Sequence, residues 1–478
     1  MSARSRAAAF GLFLAATALA VAGCTPDGEV PPEQASASAS SPPVTLRVAV
    51  YGPAKVLAAY RAIAADFHRE HTRISVEVQT YADEADTLRA VRRDAAAGRT
   101  PDLFLTGVDA LPGLQRDKLI QPVDALLGER QVDFGDGYPR LALESFSSDA
   151  ALRCMPTQDS PLVVYYNPDL VDLDAAQGDD HPINATRGWT MAEFSRAVAD
   201  VVADGHAGVY VDPTLDQVAP FAASAGGSVV DSVTDPKKTA LGSSSAADGI
   251  TQLLAALGPQ KRAPKAARTP DSQDEALAKF EHGKLAMLLG YRDLTGMLRD
   301  SGTKVDFDVL PLPVIGSKST SGDLAGMCLA QSAVDPGAAA EFLAYLVGRH
   351  PMAQLARTGY VMPTNMTVIS SNAFWQPRKN PASASVFTTQ LRYIDPRPVT
   401  ELWPRVENLV DAHLTSIFAA ARALPGKDRV QRQLSLLDED TAAVLAPPSQ
   451  TPQPSTQPST QPSAGGSRSP SPGPTPAQ

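Results

Sequence analysis

The stretch "EHGKLAMLLGYRD", residues 281–293, ends an apolar run with side chains that could contact a ligand. The apolar part is typical of a buried strand that stops at Gly290. Glycine permits a sharp turn there, so the following side chains can face a cleft. Tyr291 would supply an aromatic face and a hydroxyl, and Arg292 a planar cation with five donors. Arg292 has two candidate roles: contact with an anionic or strongly accepting ligand, or a salt bridge to Asp293 or to a facing acid.

Other patterns that could carry chemistry are weaker. His68 and His71 share a helix face, but their segment is charged throughout and offers no compact third ligand, so we predict no metal site. The chain has no Gly-x-Ser-x-Gly motif, P-loop or dinucleotide fingerprint, and we predict no catalytic residue and no cofactor. The alternative class is an exported hydrolase, which would need Ser, His and an acid assembled from distant segments. We therefore predict a binding protein and not an enzyme.

The N-terminus has the pattern of a bacterial lipoprotein signal. Arg4 and Arg6 precede an apolar run at residues 7–22, and Cys24 follows small residues. The run is shorter than the roughly 20 residues that a membrane-spanning helix needs. We predict that residues 1–23 are removed and that a lipid on the Cys24 thiol anchors the mature chain outside the cytoplasm. The alternative is an ordinary secretory signal followed by an incidental cysteine.

Two further segments are unlike a folded domain. We predict a flexible tether at residues 24–44 and a disordered tail of Pro, Ser, Thr and Gln at residues 447–478. Neither segment has enough apolar surface to offset the entropy of ordering. Without the two signal arginines, the net charge changes from −10 to −12, which gives no indication of nucleic-acid binding.

Between these segments the hydrophobic period alternates between strand and helix. The first set predicts strands at residues 46–51, 74–79 and 101–106, with one helix following the apolar spacing of residues 56–67 and another at residues 84–97. Strands that alternate with helices form a parallel sheet with right-handed crossovers.

A second set of elements follows along the chain. Thr190 with Glu193, and Ser272 with Glu275, have the spacing of helix capping boxes. A strand is predicted at residues 208–211 and another at the opening stretch. We therefore predict an α/β fold with two lobes, in which ligands bind at the carboxyl ends of the strands.

Several segments also carry a family resemblance. They stand in the order seen in extracellular solute-binding proteins of ABC importers, the group that includes maltose-binding and other sugar-binding proteins. The segments are "GRTPDLFLT", "MPTQDSPLVVYYNPDL", "GWTMAEF", "ALAKFEHGKLAMLLG", "FDVLPLP" and "TGYVMPTN". The chain resembles this family over roughly residues 45–440.

The resemblance implies a two-lobe, periplasmic-binding-protein-like clamp with crossing hinge strands. Such a protein captures a small carbohydrate-like ligand and delivers it to the membrane subunits of an ABC permease, and it is expected to be a monomer. Alternatives are a binding protein for a non-sugar anion and a ligand-sensing lipoprotein. The implied crossing segments are residues 152–166 and 321–333. The implied lobes are residues 45–155 with 328–370 and residues 156–327 with 371–446.

Ligand contacts follow from the resemblance by position. Counting back from "YN" in "VVYYNPDL" places Asp159 and Ser160 where sugar binders have a cleft-facing polar group. Counting on from "PD" in "PDLFLT" places Thr106 where that group keeps an aromatic residue, and Asp109 where it keeps an acid. A carboxylate accepts hydrogen bonds from sugar hydroxyls. The alternative for Asp109 is a helix N-cap.

Aromatic residues complete the predicted site. Tyr51 is an aromatic residue that a loop could bring to the cleft, with packing as its alternative role. Sugar binders often read Gly-Pro-Trp where this chain reads Gly290-Tyr291-Arg292, so the tryptophan is absent and Tyr291 could supply a stacking face. Arg292 at this position favours a ligand with a carboxylate or phosphate.

The two remaining cysteines lie on the implied crossing strands. Cys154 and Cys328 are neighbours in the resembled fold, and an exported compartment permits oxidation. We predict a disulfide across the hinge. The alternative is two buried free thiols.

The lipid anchor can be tested directly. Mass spectrometry of the native protein is expected to find a lipidated N-terminus at Cys24, and Cys24→Ser is expected to release the protein from the membrane fraction. An unmodified Cys24 in the membrane fraction would contradict this prediction.

Overall fold

The computed structural model describes residues 42–446 apart from 96, 179–181, 259–270 and 422–425, together with residue 473. The predicted signal, Cys24, all but the last residues of the tether and nearly all of the tail lie outside the described residues. Within the described part of the chain, no helix has both the length and the apolar character needed to cross a membrane.

The strands are short and contribute to three sheets. In chain order they are β1 (Val44–Tyr51), β2 (Ile74–Tyr81), β3 (Leu103–Gly107), β4 (Ile120–Gln121), β5 (Ser147–Ser148), β6 (Ala151–Leu152), β7 (Cys154–Pro161), β8 (Val163–Tyr166), β9 (Ala207–Tyr210), β10 (Leu285–Gly290), β11 (Asp308–Leu310) and β12 (Gly322–Ala330).

The helices surround the two larger sheets. They are α1 (Ala54–Glu70), α2 (Glu84–Ala95), α3 (Leu111–Arg116), α4 (Asp124–Glu129), α5 (Arg140–Ser145), α6 (Leu173–Ala176), α7 (Met191–Ala203), α8 (Leu215–Ser224), α9 (Ser244–Ala256), α10 (Gln273–Glu281), α11 (Arg292–Asp300), α12 (Pro336–Leu346), α13 (Arg349–Arg357), α14 (Met366–Ile369), α15 (Asn372–Trp375), α16 (Ser385–Gln390), α17 (Trp403–Ala421) and α18 (Lys427–Leu445). Single 3-10 turns occur at Val108–Ala110 and Leu391–Tyr393.

The first sheet has the order β2-β1-β3-β12-β4, and β7 also pairs with β12. Strands β1, β2 and β3 run parallel, as the alternating sequence pattern predicts. Strand β12 runs antiparallel to β3 and to β7. The apolar face of α1 packs on this sheet through side chains such as Ile63 and Phe67, both fully buried.

The second sheet has the order β11-β8-β10-β9 and is buried on both faces. One face, with Tyr165 and Leu288, shares a core with Phe374 and Phe387 of α15 and α16. The other face packs against α7, α8, α9, α17 and α18. Strand β10 is buried along its whole length, which explains why the opening stretch is apolar without alternation.

Local sequence signals for helix starts agree with the structure. Thr190 and Glu193 form a complete capping box at the start of α7. The Ser272 side chain accepts a hydrogen bond from the Glu275 amide at the start of α10. These bonds satisfy amide groups that the first helical turn leaves without partners.

The chain passes between the two sheets where the sequence analysis places the hinge. Strand β7 belongs to the first sheet and β8 to the second, so the first crossing occurs at Leu162. Leu162 accepts a hydrogen bond from the Thr320 hydroxyl and donates one to the Ser321 carbonyl, directly before β12. The two crossings therefore lie side by side. The residue limits assigned to each lobe stay a prediction.

A disulfide joins the paired strands β7 and β12. Cys154 and Cys328 lie directly opposite each other in the antiparallel register, with Cα atoms 4.3 Å apart, and both are fully buried. The bond connects residues 174 positions apart in sequence. It restricts the unfolded chain strongly because it closes a long loop.

Removal of the disulfide is expected to destabilise the fold. In the chain-entropy picture, Cys154→Ala with Cys328→Ala lowers the free energy of unfolding by roughly 4–5 kcal/mol, measured by urea unfolding of parent and double variant. Two free thiols titrated in urea-unfolded parent protein without reductant would contradict the bond itself.

Candidate functional site

A cavity of about 350 Å³ lies between the two sheets, beside the paired hinge strands. We call it the cleft cavity. Its walls come from the end of β1, the first turns of α1 and α11, the start of α2, the strands β3, β7 and β12, and residues 360–362. Its polar lining includes Tyr51, Tyr60, Glu84, Ser160, Asp293 and Asp323.

Three carboxylates reach the cleft cavity from three separate elements. Glu84 begins α2, and one of its oxygens accepts hydrogen bonds of 2.7 Å from the Thr106 hydroxyl and from the Gly107 amide. Asp293 lies in the first turn of α11, and Asp323 lies in β12. Within the described residues, none of the three carboxylates forms a salt bridge with a lysine or arginine.

The proximity of like charges alters the ionisation of Asp323. This residue is exposed to the water of the cleft, and neighbouring protein desolvates its carboxyl group in part. Burial, reinforced by the negative charge of Asp293, raises the pKa of Asp323 to about 7. Burial also raises the pKa of Tyr51, and the charges of Glu84 and Asp323 raise it further.

A second group of acids, the Arg397 cluster, contains its own cation. Arg397 donates to Asp109 at 2.8 Å, and its guanidinium lies 3.4 Å from Asp216 and 3.6 Å from Glu407. Asp109 follows β3 of the first sheet, whereas Asp216 in α8 and Glu407 in α17 belong to helices packed on the second sheet. The Arg397 cluster therefore connects the two lobes.

Burial and the neighbouring negative charges shift the pKa of Arg397 in opposite directions. Burial alone would lower the pKa of Arg397, but the carboxylates of Asp109, Asp216 and Glu407 raise it above the ordinary value for arginine. Burial raises the pKa of Glu407 to about 8, and the neighbouring Asp109 charge adds to the shift. The cation holds together acids that would otherwise repel one another.

A second contact between the lobes lies on the other side of the cleft cavity. Asp300, the last residue of α11, forms a salt bridge with Lys55 of α1. The Asp300 carboxylate also accepts a 3.0 Å hydrogen bond from the Tyr360 hydroxyl. These two contacts join the end of α11 to α1 and to the loop that carries Tyr360.

Comparison with known protein families identifies the family of this chain. A sequence profile of the family described as bacterial extracellular solute-binding protein matches residues 53–349, which is more than half of the chain. The chain belongs to this family of bacterial extracellular solute-binding proteins. A search of curated protein sequences gave no match.

Solved structures share the two-lobe fold at low sequence identity. The sugar-binding protein MalE of Xanthomonas citri has a TM-score of 0.69 and 16% identity, covering 84% of this chain and 97% of its own. The cyclic α-maltosyl-1,6-maltose binding protein of Arthrobacter globiformis has a TM-score of 0.67 and 16% identity over 84% and 99%. The GacH receptor of Streptomyces glaucescens, solved unliganded and with acarbose, has a TM-score of 0.66 and 17% identity over 84% and 98%.

Two of the predicted ligand residues line the cleft cavity of this solute-binding protein. Tyr51 ends β1 and forms part of the wall. Ser160 lies in β7, and its hydroxyl oxygen accepts a hydrogen bond of 2.8 Å from the Arg292 amide. Ser160 therefore fixes the start of α11 against the hinge as well as facing the cavity.

Thr106 and Asp159 do not line the cavity, contrary to the prediction. Thr106 is fully buried and donates to Glu84, so it positions a cavity acid instead of reaching ligand. Asp159 is 2% exposed and pairs with Leu324 on the face of β7 opposite to Ser160. Successive residues of a strand point to opposite faces, so these neighbours cannot both face the cavity. Burial, with a contribution from Asp323, raises the pKa of Asp159 to about 8.

Of the two roles that the sequence left open for Asp109, the helix N-cap is wrong, and a ligand contact stays a prediction. Its side chain caps no helix. One oxygen pairs with Arg397, and the other is buried without a hydrogen-bond partner among the described residues. Burial raises the pKa of Asp109, and Arg397 opposes the shift. Its observed contact is the connection between the lobes.

The observed contacts of Arg292 support neither form of its prediction. The Arg292 side chain is fully buried, donates to the Phe374 carbonyl at 3.1 Å, and lies 4.4 and 5.2 Å from the ring centres of Phe374 and Phe387. It forms no salt bridge within the described residues, and burial lowers its pKa to about 9. The reason is helical geometry: α11 begins at Arg292, so Asp293 and Met297, four positions apart, face the cavity while Arg292 faces the core.

Tyr291 lies between the two groups of charged residues. Its carbonyl accepts a 2.7 Å hydrogen bond from the Tyr165 hydroxyl, and its own hydroxyl is buried without a partner among the described residues. Burial raises the pKa of Tyr291, with further contributions from Asp216 and Asp323. A ligand contact by Tyr291 stays a prediction.

Sequence reasoning missed several polar residues at the interface between the lobes, of which Asp323, Glu84, Asp216 and Arg397 are examples. Asp323 had a local signal, because it is the charged residue in the otherwise apolar segment "GDLAGMCLA". Glu84 and Asp216 lie in first helical turns, where acids are common for other reasons. Arg397 lies in a proline-rich loop, "DPRPVT", and its three partners come from distant parts of the chain.

Loss of the Arg397 cation is expected to destabilise the protein. Arg397→Gln leaves three carboxylates together without a cation, so the free energy of unfolding should fall by about 1–3 kcal/mol, between the values for exposed and buried pairs. Urea unfolding would measure the change. The control is Arg140→Gln, which removes an exposed pair with Glu144 and should cost no more than about 0.5 kcal/mol. Equal effects would contradict a special role for the Arg397 cluster.

The raised pKa of Asp323 predicts that the effect of Asp323→Asn on protein stability depends on pH. Its folded-state pKa of about 7 exceeds the ordinary aspartate value, so ionisation of Asp323 removes stability as pH rises towards 7. Asp323→Asn should therefore raise the melting temperature at pH 8, and the gain should shrink at pH 5, where the parent carboxyl is protonated. Asp200→Asn, an exposed substitution in α7, is the control. A gain that is equal at both pH values would contradict the assignment.

Proposed function

We propose that this protein is a membrane-anchored extracytoplasmic binding protein that encloses a carbohydrate or sugar derivative and delivers it to an ABC importer. The observation that carries the proposal is the polar cleft cavity between two lobes joined by paired hinge strands. Family membership supports capture of a solute outside the cytoplasm.

The chemistry of the cavity supports a ligand rich in hydroxyl groups. Carboxylates such as Glu84 and Asp323 accept hydrogen bonds from hydroxyls, and the ring of Tyr51 offers a face for stacking. The neighbouring structures from Xanthomonas citri and Arthrobacter globiformis carry names of sugar-binding proteins, which is consistent with this chemistry.

The arrangement of the lobes supports a clamp. Ligand that enters an open cleft adds contacts from both lobes, so binding favours closure around the hinge. The salt bridges Asp109–Arg397 and Lys55–Asp300 would form only in the closed state. The membrane subunits of the importer would then recognise that state, while the lipid on Cys24 keeps the monomeric protein at the membrane.

The function can be tested by a ligand screen of the mature chain carrying Cys24→Ser. Monosaccharides, maltodextrins, sugar acids, polyols and amino acids would be compared by thermal shift. A ligand present at 100 times its dissociation constant adds about 2.7 kcal/mol, so one carbohydrate class is expected to raise the melting temperature by several degrees.

Two results would contradict the proposal. A shift with amino acids alone would exclude a sugar ligand. Turnover of glycoside or ester substrates, lost when candidate Ser or His residues are replaced, would favour the exported hydrolase.

A further inference from the structure

We propose that the cleft cavity selects a saccharide carrying a protonated amine over its neutral counterpart. The inference rests on the proposed function and specifies its ligand class. It follows from the imbalance of charge in the cavity, from a hydroxyl that opens into it, and from the contrast with the nearby Arg397 cluster.

The charged lining of the cavity is acidic. Glu84, Asp293 and Asp323 line it, and no lysine or arginine does. Two of these carboxylates, Asp293 and Asp323, are exposed to the space inside the cleft. Like charges held close together in a partly desolvated cleft repel one another, and a cation placed among them relieves that repulsion. A neutral sugar would use the carboxylate oxygens as hydrogen-bond acceptors, but it would not require an excess of negative charge in the cavity.

The Arg397 cluster differs from the cleft cavity because its acids, which join the lobes, pair with a cation of the protein. There, Asp109, Asp216 and Glu407 surround one guanidinium, within 2.8 to 3.6 Å. The cleft cavity also collects three acids, and no lysine or arginine lines it, although the charge of Arg397 partly opposes the rise in the pKa of Asp323. The missing cation is therefore expected from the ligand.

Tyr60 is an independent indication that a polar ligand occupies the cavity. This residue of α1 is 2% exposed and lines the cavity, and its hydroxyl has no hydrogen-bond partner among the described residues. The hydroxyl oxygen itself is open to the cavity, because it is not among the buried polar atoms that lack a partner. A ligand hydroxyl or amine would complete the bonding of Tyr60, and the nearby ring of Tyr51 offers a face that also attracts a cation.

The cation is organic and not a metal ion. Within the described residues, no group of His, Cys, Asp or Glu side chains is arranged to hold a metal. The cavity volume of about 350 Å³ is at the lower end of the range of pockets that enclose small organic ligands. The burial of Arg292 in the core also removes the cation that had favoured an anionic ligand.

Matched sugars test the charge directly. Isothermal titration calorimetry would compare D-glucosamine, D-glucose, N-acetyl-D-glucosamine and D-glucuronate, and the β-1,4-linked disaccharides of glucosamine, glucose and N-acetylglucosamine, at a pH where the amine is protonated. The amine-bearing member of a set is expected to bind at least about tenfold more tightly than its neutral counterpart, the range for one charge-assisted hydrogen bond. The acidic sugar should bind least.

Substitutions test whether the cavity residues cause the preference for the amine-bearing sugar. Asp293→Asn and Asp323→Asn should each reduce the affinity for the amine-bearing sugar about tenfold and change that for the neutral sugar little. Tyr60→Phe should weaken both sugars by a similar factor, because it removes a neutral hydrogen bond. Asp200→Asn, outside the cavity, should change neither. Melting temperatures of the free variants would confirm that they fold.

Each alternative outcome contradicts a different statement. Equal binding of glucosamine and glucose would overturn the charge preference while leaving a carbohydrate-binding protein. Binding of putrescine as tightly as the amino sugar would overturn the saccharide part. A shift with magnesium or calcium chloride alone would replace the amine by a metal ion. Failure of every sugar, together with a shift by another class in the ligand screen, would overturn both this inference and the proposed function.

Discussion

The antiparallel pairing of β7 with β12 is the constraint on which the rest of the structure depends. This pair joins the chain segments that cross between the lobes, and the Cys154–Cys328 disulfide fixes its outer end. At its inner end the pairing places Ser160 opposite Asp323 on the cavity face. A shift of register by one residue would exchange these side chains for those of the opposite face, so the register determines both hinge position and cavity chemistry.

Two groups of acids use this framework differently. The Arg397 cluster contains its own cation and connects the lobes through Asp109 and Asp216. The cleft acids Asp293 and Asp323 form no salt bridge within the described residues, and burial, reinforced by the charge of Asp293, raises the pKa of Asp323. Contact between the lobes and the proposed ligand recognition therefore involve different side chains, so substitutions can distinguish the two.

Arg292 contributes to the architecture instead of recognition. Its guanidinium lies against the rings of Phe374 and Phe387 and donates to the Phe374 carbonyl, so it connects α11 to the α15 and α16 region. Burial of a cation without an acid is costly, and the hydrogen bond and aromatic contacts offset part of that cost. Because α11 also carries Asp293, the contact helps to fix a cavity acid through the core.

The sequence by itself determined the local elements and the class of fold. Alternating apolar periods predicted the parallel strands β1, β2 and β3 and their helices, since one buried face imposes a period of two or of 3.6 residues. The capping residue Thr190 marked the start of α7 because its bonds are local in sequence. The order of family segments indicated the solute-binding protein family, and the neighbouring cysteines of the implied hinge pointed to the disulfide.

Only the tertiary structure decided which side chains meet in the cleft. The sequence could place Arg292 at the end of a strand, but the helix that starts there turned Arg292 inward and Asp293 outward. It could place Asp159 beside Ser160, but strand alternation left only one of them facing the cavity. Arg397 meets Asp109 from 288 positions away. Such contacts depend on lobe packing and register, which the local periodicity of a single sequence does not encode.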